Sequence, residues 1–150
     1  MMSRLEEPTN SRTTTLHLPA EVRRRVSDWV CAGYPRETCG LLLGLNEGSE
    51  TRVLEVRQAK NLNTQRAGDR YELDPGDHLR AEQAARDSGL EIVGVWHSHP
   101  DHPAEPSETD RAAAWEGWSY AILAVSAEGV LDIRSWRLFG AAFHEEDVQP

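Results

Sequence analysis

Hydrophobic residues recur with a helical period in one stretch of the chain, and capping residues predict two further helices. The first predicted helix begins at Pro19 and ends at Gly33. Its apolar face is formed by Val22, Val26, Trp29 and Val30. The second has Asp74 as its N-cap and continues to about Asp87, and a third is predicted over residues 107–115. These helices are separated by longer stretches with a different pattern.

The intervening stretches alternate apolar and polar residues or form short apolar runs, as is typical of β-strands. Strands are predicted over residues 13–18, 37–45, 51–59, 71–73, 91–99, 119–127 and 130–139, with an edge strand at 141–147. The second and third are predicted to form a hairpin that turns through residues 46–49. On the strand at 91–99, one face is expected to carry Val93, Val95, His97 and His99. The predicted fold class is therefore α+β, or α/β, with a mixed sheet.

The size and composition of the chain fit one globular domain. Its 150 residues are 39% hydrophobic and 27% charged, which is enough for a single core that does not depend on disulfides. The start of the chain is polar, unpatterned and interrupted by Pro8. We expect residues 1–12 to form a disordered arm and residues 13–150 to form the domain.

Charge and cysteine content argue against several classes of protein. The chain has 16 lysines and arginines against 25 acidic residues, a net charge of −9, which disfavours a broad nucleic-acid or anionic-membrane surface. No apolar run approaches the roughly 18 residues of a membrane helix. Two cysteines, Cys31 and Cys39, are too few for a disulfide scaffold or a four-thiolate zinc site. They favour a reducing compartment, and we expect the cytoplasm.

Six histidines are many for so small an acidic domain, and His97, His99 and His102 lie close together. Alternate residues on a strand share a face, so His97 and His99 can present two imidazoles to one ion. After a proline-rich loop, Ser107 and Asp110 form the S-x-x-D pattern of a helix start, which brings Asp110 back on the first turn. Two imidazoles and one carboxylate make a three-ligand metal site with its fourth tetrahedral position open.

A simpler interpretation treats His97 and His99 as partly exposed histidines at the end of a strand. A bare H-x-H pattern favours that interpretation. The longer pattern H-x-H-x7-S-x2-D, however, is expected by chance in about one of a thousand chains of this composition. The serine and the aspartate therefore favour the metal site.

Together with an upstream glutamate, this pattern resembles the signature of the JAMM (MPN+, Mov34/PAD-1) metallopeptidases, a glutamate followed by H-[ST]-H-x7-S-x2-D. The positions of the signature are filled by Glu37, His97, Ser98, His99, Ser107 and Asp110. The resemblance covers residues 13–138 and implies a curved β-sheet flanked by helices, as in JAMM and cytidine-deaminase-like folds. The compact chain and its E-x-C-G sequence are similar to bacterial members that act on ubiquitin-like sulfur carrier proteins.

The resemblance also implies roles for individual residues. The metal ligands would be His97, His99 and Asp110, which would hold one Zn2+ per chain. Glu37 would act as the general base that takes a proton from the attacking water. Ser107 would both cap its helix and help to stabilise the tetrahedral oxyanion.

Three further residues are candidates for the wall of the site: Cys39, Ser98 and His102. Cys39 lies two positions from Glu37 and is either a thiol close to the metal or a small buried residue packed beneath it. His102 competes with Asp110 as the third ligand, although its place in a loop favours substrate contact or solvation.

The activity implied by the resemblance is hydrolysis of a peptide or isopeptide bond directly after the C-terminal Gly-Gly of a ubiquitin-like sulfur carrier protein. Cleavage would release an amino acid such as cysteine, as in cysteine biosynthesis, or expose the Gly-Gly end for activation. The extended tail would bind beside an exposed sheet edge near the zinc, which we expect within residues 51–59. We expect no nucleic-acid or membrane partner, and the sequence leaves both a monomer and a homodimer open.

Two other functions remain alternatives. A non-catalytic scaffold of the same fold would bind no metal, which the intact ligand set argues against. A zinc hydrolase acting on a small molecule would need the same ligands, because these residues do not define the leaving group. A zinc deaminase is disfavoured, since the sequence lacks the P-C-x-x-C pattern of that class.

Overall fold

The apolar strand residues build a closed, mixed sheet. The structure is a computed structural model that describes residues 14–63 and 71–150, so the predicted arm at residues 1–12 lies outside it. Its strands are β1 (Thr15–His17), β2 (Cys39–Glu47), β3 (Glu50–Ala59), β4 (Glu91–Pro100), β5 (Ser119–Ser126), β6 (Gly129–Phe139) and β7 (Ala142–Gln149). They are hydrogen-bonded in the order β1-β3-β2-β4-β5-β6-β7, and β7 pairs back with β1 to close a barrel. Parallel and antiparallel pairs occur together, which confirms the predicted mixed sheet.

The barrel is flanked by three helices in the described ranges: α1 (Ala20–Gly33), α2 (Pro75–Asp87) and α3 (Glu108–Ala112). The Asp74 side chain accepts a hydrogen bond from the Gly76 amide at 3.1 Å and so caps α2, as predicted. None of these helices has the length and apolar character needed to cross a membrane. The elements confirm the predicted α+β class.

The two longer helices cover opposite faces of the sheet. Helix α1 packs in one core cluster with Leu42 and Trp96, whereas α2 packs in another with Leu41 and Val95. This separation follows from the alternation of side chains along β2 and β4. His97 lies two residues beyond Val95, so its side chain emerges on the α2 side of the sheet.

A β-bulge in β4 changes the face of one predicted residue. The ladder with β2 passes over Val93, which is an extra residue opposite the step between Leu42 and Leu43. Val93 therefore packs in the cluster of Trp96, away from the face that holds His97. The prediction of a shared face is wrong for this residue.

Two predicted elements are shorter in the structure. Residues 71–73 form only an isolated bridge, between Asn61 and Leu73, because the N-cap of α2 follows at once. The helix predicted over residues 107–115 ends at Ala112. Its continuation is replaced by a turn in which the Trp115 amide donates a hydrogen bond to the Tyr120 hydroxyl at 2.7 Å.

The two predicted edge strands are edges over part of their length. In strand β7, residues 142–146 pair only with β6 among the described strands, so the edge predicted at residues 141–147 is found there, and β7 turns to pair with β1 at residues 147–149. Strand β1 also pairs with Glu50, Thr51 and Arg52 of β3. Beyond these residues, positions 53–59 pair only with β2 among the described strands. The edge predicted within residues 51–59 is therefore confined to its later part.

Candidate active site

His97 is fully buried on β4, and neither of its ring nitrogens has a hydrogen-bond partner among the described residues. Nδ1 lies 3.8 Å from Glu37 Oε1 and Nε2 lies 3.8 Å from Asp110 Oδ1, both beyond hydrogen-bond length. Burial lowers the pKa of His97 to about 4, so its ring is neutral and keeps a lone pair. Buried nitrogens without partners are costly, and a metal ion would satisfy one of them.

His99 follows on the same face of β4, with its ring centroid 5.0 Å from that of His97. Its Nδ1 lies 2.9 Å from the Pro103 carbonyl oxygen, which can accept the ring N–H and leave Nε2 directed at the cluster. Nε2 lies 3.2 Å from Asp110 Oδ2. Burial opposes protonation, but the hydrogen bonds with Asp110 and Pro103 outweigh it and raise the pKa of His99. A metal cation bound at Nε2 would replace the proton that Nε2 otherwise shares with Asp110.

Asp110 is oriented by the start of α3. Its Oδ2 accepts a hydrogen bond from the Ser107 amide at 2.8 Å, and the Ser107 hydroxyl accepts one from the Asp110 amide at 3.0 Å. The two bonds form a capping box. Burial opposes ionisation, yet the hydrogen bond with His99 and the proximity of His97 lower the pKa of Asp110 to about 2. The carboxylate is therefore ionised and held towards both imidazoles.

These three side chains form a candidate metal site. The ligand atoms of His97, His99 and Asp110 all lie within 4.8 Å of one another. Two imidazoles and one carboxylate are a donor set that suits zinc and leaves a fourth position open. The partnerless nitrogens of His97 fit the same conclusion. The structure thus brings together the ligands that the sequence predicts.

Glu37 lies beside this cluster, in the loop between α1 and β2. It is buried, and its Oε1 approaches His97 Nδ1 to 3.8 Å. The strand predicted to include Glu37 begins only at Cys39, because the Thr38 amide donates to the Ser98 side chain, at Oγ and 2.9 Å, rather than to a backbone carbonyl of β4. A carboxylate in this position can exchange a proton with a water held at the cluster.

The three wall candidates occupy different environments. Cys39 is fully buried, with Sγ 3.9 Å from the carbonyl oxygens of Ala59 and Lys60. Burial raises the pKa of its thiol to about 12, which favours a packing role. Ser98 is buried and contacts the loop of Glu37, whereas His102 is exposed. The metal cluster found among the described residues includes none of the three.

Two residues next to the site carry no signal in the sequence. The Tyr71 ring stacks on the His97 ring, with centroids 4.4 Å apart. Asn61 Nδ2 donates a hydrogen bond to the backbone carbonyl of Glu37 at 3.0 Å. Both residues lie in irregular segments, so only the packing of β3 and α2 brings them to the cluster.

Three cavities among the described residues adjoin the cluster or Glu37. One, of about 330 Å³, is lined in part by Glu37, His99 and Ser107, and a second, of about 290 Å³, is bounded by Asp110 and by the stacked indoles of Trp115 and Trp118. The third is a groove of about 740 Å³ at the end of β3, lined in part by Glu37 and Lys60. We call it the β3 groove. It lies along the part of β3 that pairs only with β2 among the described strands.

The fold is thus a closed mixed barrel in which a His-His-Asp cluster that could hold a metal ion lies at the end of β4. A family model described as "Prokaryotic homologs of the JAB domain" matches residues 19–139. The chain belongs to this family, which confirms the resemblance found in the sequence.

Individual relatives agree with this assignment. The chain is 33% identical over 115 residues to the desampylase of Haloferax volcanii, covering 76% of this chain and 78% of that protein. It is 33% identical over 116 residues to the CysO-cysteine peptidase of Mycobacterium tuberculosis, covering 77% of each. A solution structure from Desulfitobacterium hafniense matches with a TM-score of 0.78 and 27% identity, over 89% of this chain and 90% of that one. The relatives support hydrolase activity, and the solved structure supports the fold.

Proposed function

We propose that this protein is a zinc-dependent peptidase or isopeptidase that cleaves directly after the C-terminal Gly-Gly of a ubiquitin-like sulfur carrier protein. The observation that carries the proposal is the buried cluster of His97, His99 and Asp110, with the Glu37 carboxylate beside it. Family membership and the names of the relatives support the substrate class. The catalytic domain in this proposal spans residues 13–150, and it works in the cytoplasm without a nucleic-acid partner.

The ligand set would hold one zinc ion through His97, His99 and Asp110. When bound, zinc supplies Lewis acidity that lowers the pKa of water at the site to about 7. The protein's own contribution is geometric and electrostatic. The hydrogen bond from His99 Nδ1 to Pro103 fixes one imidazole, and the capping box with Ser107 fixes the carboxylate.

Glu37 moves the proton in this mechanism. Its carboxylate accepts a proton from the attacking water and returns it to the leaving nitrogen, so one group serves as base and then as acid. The Ser107 hydroxyl oxygen accepts a hydrogen bond from the Asp110 amide. Its O–H proton is therefore available to donate to the developing oxyanion. Burial of the cluster strengthens both interactions, because water screens them less.

The substrate tail would lie in the β3 groove. An extended peptide can add to the sheet along residues 53–59, whose main-chain groups on that side face no other described strand. The groove leads to Glu37 and hence to the cluster. Two glycines at the end of the tail suit this approach, because a residue without a side chain lets the scissile carbonyl come close to the metal site.

The test uses zinc-loaded protein and a sulfur carrier that ends in Gly-Gly followed by one cysteine. Mass spectrometry should show loss of the cysteine, with cleavage at no other bond. The Glu37→Gln variant has nearly the same shape and should keep zinc, yet it should lose roughly a hundredfold or more in kcat. A carrier ending in Ala-Ala followed by cysteine is the matched control substrate. Equal cleavage of both carriers, or wild-type activity of Glu37→Gln, would contradict the proposal.

A small-molecule amidohydrolase is the second candidate, and one observation favours it. The cavity of about 290 Å³ beside Asp110 is mostly apolar and large enough for a small acyl or aryl group. That function predicts hydrolysis of low-molecular-weight amides with no cleavage of any carrier. The same mass assay, run with a panel of N-acyl amino acids, separates the two functions.

A further inference from the structure

Glu37 stands outside the hydrogen-bonded ladder of the sheet. Strand β2 begins at Cys39, which pairs with both neighbouring strands. Two residues, Glu37 and Thr38, therefore precede the strand, and the Ser98 amide of β4 reaches only the carbonyl of Thr38, at 3.0 Å. The dihedrals on either side of the peptide unit that joins Glu37 to Thr38 would be soft if nothing else held it, and the Glu37 carboxylate would move with them.

Two side chains bind the two polar groups of the peptide unit that joins Glu37 to Thr38. Its carbonyl oxygen, on Glu37, accepts a hydrogen bond from Asn61 Nδ2 at 3.0 Å. Its N–H group, on Thr38, donates to Ser98 Oγ at 2.9 Å. One peptide unit is therefore held from both sides by side chains that replace the missing ladder partners.

We infer that Ser98 and Asn61 are positioning residues that clamp the peptide unit after Glu37 and so hold its carboxylate against the metal cluster. We call this arrangement the Glu37 clamp. The inference rests on the proposed function, in which Glu37 is the general base. It assigns a role to Ser98, which lies between the two histidine ligands, and to Asn61, which the sequence pattern did not single out.

The contribution of Ser98 follows from strand alternation. His97 and His99 face the cluster, so Ser98 between them faces the opposite side of β4. There it is fully buried, and its own backbone amide donates to the Thr38 carbonyl at 3.0 Å. The Thr38 hydroxyl also lies 3.3 Å from Ser98 Oγ. Strand β4 thus carries the two histidines on one face and, through Ser98 on the other, holds the backbone next to Glu37.

Asn61 connects the clamp to the segment between β3 and α2. Its Oδ1 accepts hydrogen bonds from the amides of Asn63 at 3.0 Å and Glu72 at 2.8 Å, while its Nδ2 holds the Glu37 carbonyl. The amide side chain therefore ties both flanks of that segment to the loop of the base. An aspartate at position 61 would keep the acceptor role and lose the donor role.

The experiment compares Ser98→Ala with Ser98→Thr and Asn61→Asp with Asn63→Asp, all in the zinc-loaded full chain. Ser98→Thr keeps the hydroxyl, and Asn63→Asp adds the same charge as Asn61→Asp while leaving the clamp in place. We expect Ser98→Ala and Asn61→Asp to lower kcat roughly ten- to a hundredfold, because a small displacement of a catalytic group is costly. Their KM and zinc content should stay at wild-type values, and both control variants should keep kcat.

A second measurement does not depend on activity. In wild type the Thr38 amide should be protected from hydrogen exchange, and in Ser98→Ala it should exchange faster, with no change at amides of β5. A wild-type kcat in Ser98→Ala with full zinc, a loss that Ser98→Thr does not restore, or unchanged exchange at Thr38 overturns the clamp. If Ser98→Ala does not fold, the comparison of Asn61→Asp with Asn63→Asp decides the question. If wild type cleaves no carrier, the proposed function fails, and the exchange data still test the clamp.

Discussion

Ser107 and Asp110 hold each other through two reciprocal hydrogen bonds, each from the backbone amide of one residue to the side chain of the other. The same pair begins α3 and sets a candidate metal ligand, because the Asp110 oxygen that accepts the Ser107 amide also lies 3.2 Å from His99 Nε2. The stability of a short helix and the geometry of the cluster are therefore coupled at one residue pair.

The role of Ser107 as a helix N-cap can be measured separately from its proposed role in catalysis. Ser107→Ala removes both the N-cap and the hydroxyl, and we expect it to lower the free energy of unfolding by about 1 kcal/mol. Ser107→Gly should lower it by only a few tenths of a kcal/mol, since glycine is tolerated as an N-cap. If the hydroxyl stabilises the oxyanion, both variants lose roughly a hundredfold in kcat. Thermal unfolding and steady-state kinetics measure the two effects, and a wild-type kcat in Ser107→Gly would leave Ser107 with the capping role alone.

The ligand assignment predicts a contrast between two histidines that are close in sequence. His99→Ala should lose zinc, measured by elemental analysis after gel filtration, and with it the activity. Adding zinc should raise the melting temperature of wild type but not of His99→Ala, because a ligand that binds the folded state stabilises it. His102→Ala is the matched control and should keep about one zinc per chain. Full zinc in His99→Ala would rule out His99 as a ligand, and loss of zinc in His102→Ala would make His102 a ligand.

The parts of the site that could be predicted from the sequence follow from local rules. Alternation along a strand places His97 and His99 on one face, and the S-x-x-D pattern starts a helix at Ser107. Both rules act within a few residues, so no knowledge of the rest of the fold is needed. The proximity of His97, His99 and Asp110 was therefore predictable before the sheet topology was.

The parts that could not be predicted depend on contacts between distant segments. The pairing of β1 with residues 147–149 of β7 closes the barrel, and no pattern within either strand predicts it. The bulge at Val93 arises from a mismatch between two strands, and no pattern within β4 reveals it. Tyr71 and Asn61 reach the cluster only because β3 and α2 position the segments that carry them.

The two cysteines should differ strongly in reactivity. Burial raises the pKa of Cys39 to about 12, so at a pH of about 8 its thiol stays protonated and unreactive, and its thiolate would form only as the pH approaches 12. Cys31 is exposed. A thiol reagent should therefore modify one cysteine in the native protein and two after denaturation. In Cys31→Ser the native protein should not react, and rapid modification of that variant would show that Cys39 is accessible.

Cys39 can also be tested as a metal contact. If the thiol only packs beneath the site, Cys39→Ala should keep its zinc and most of its activity, with a loss in stability of the order expected for a small buried residue, about 1 kcal/mol. Elemental analysis and thermal unfolding measure these quantities. Loss of zinc from Cys39→Ala at neutral pH would instead make the thiol part of the metal site.

The close packing around Gly40 leaves no room for a side chain between β2 and its neighbours β3 and β4. A Cβ atom at Gly40 would lie 2.0 Å from the Arg57 carbonyl oxygen and 2.4 Å from Trp96 Nε1. The same indole nitrogen donates to that carbonyl at 3.1 Å. Gly40→Ala must therefore displace the indole or part β2 from β3, and we expect the free energy of unfolding to fall by roughly 1–3 kcal/mol.

Gly76→Ala is the matched control for this substitution. Its Cβ would first meet the end of the flexible Arg80 side chain, at 3.2 Å, which can move aside at little cost. Alanine also favours the first turn of α2 more than glycine does, so this variant should be at least as stable as wild type. Urea denaturation of both variants gives the comparison. A wild-type midpoint for Gly40→Ala would mean that Trp96 does not pack over Gly40.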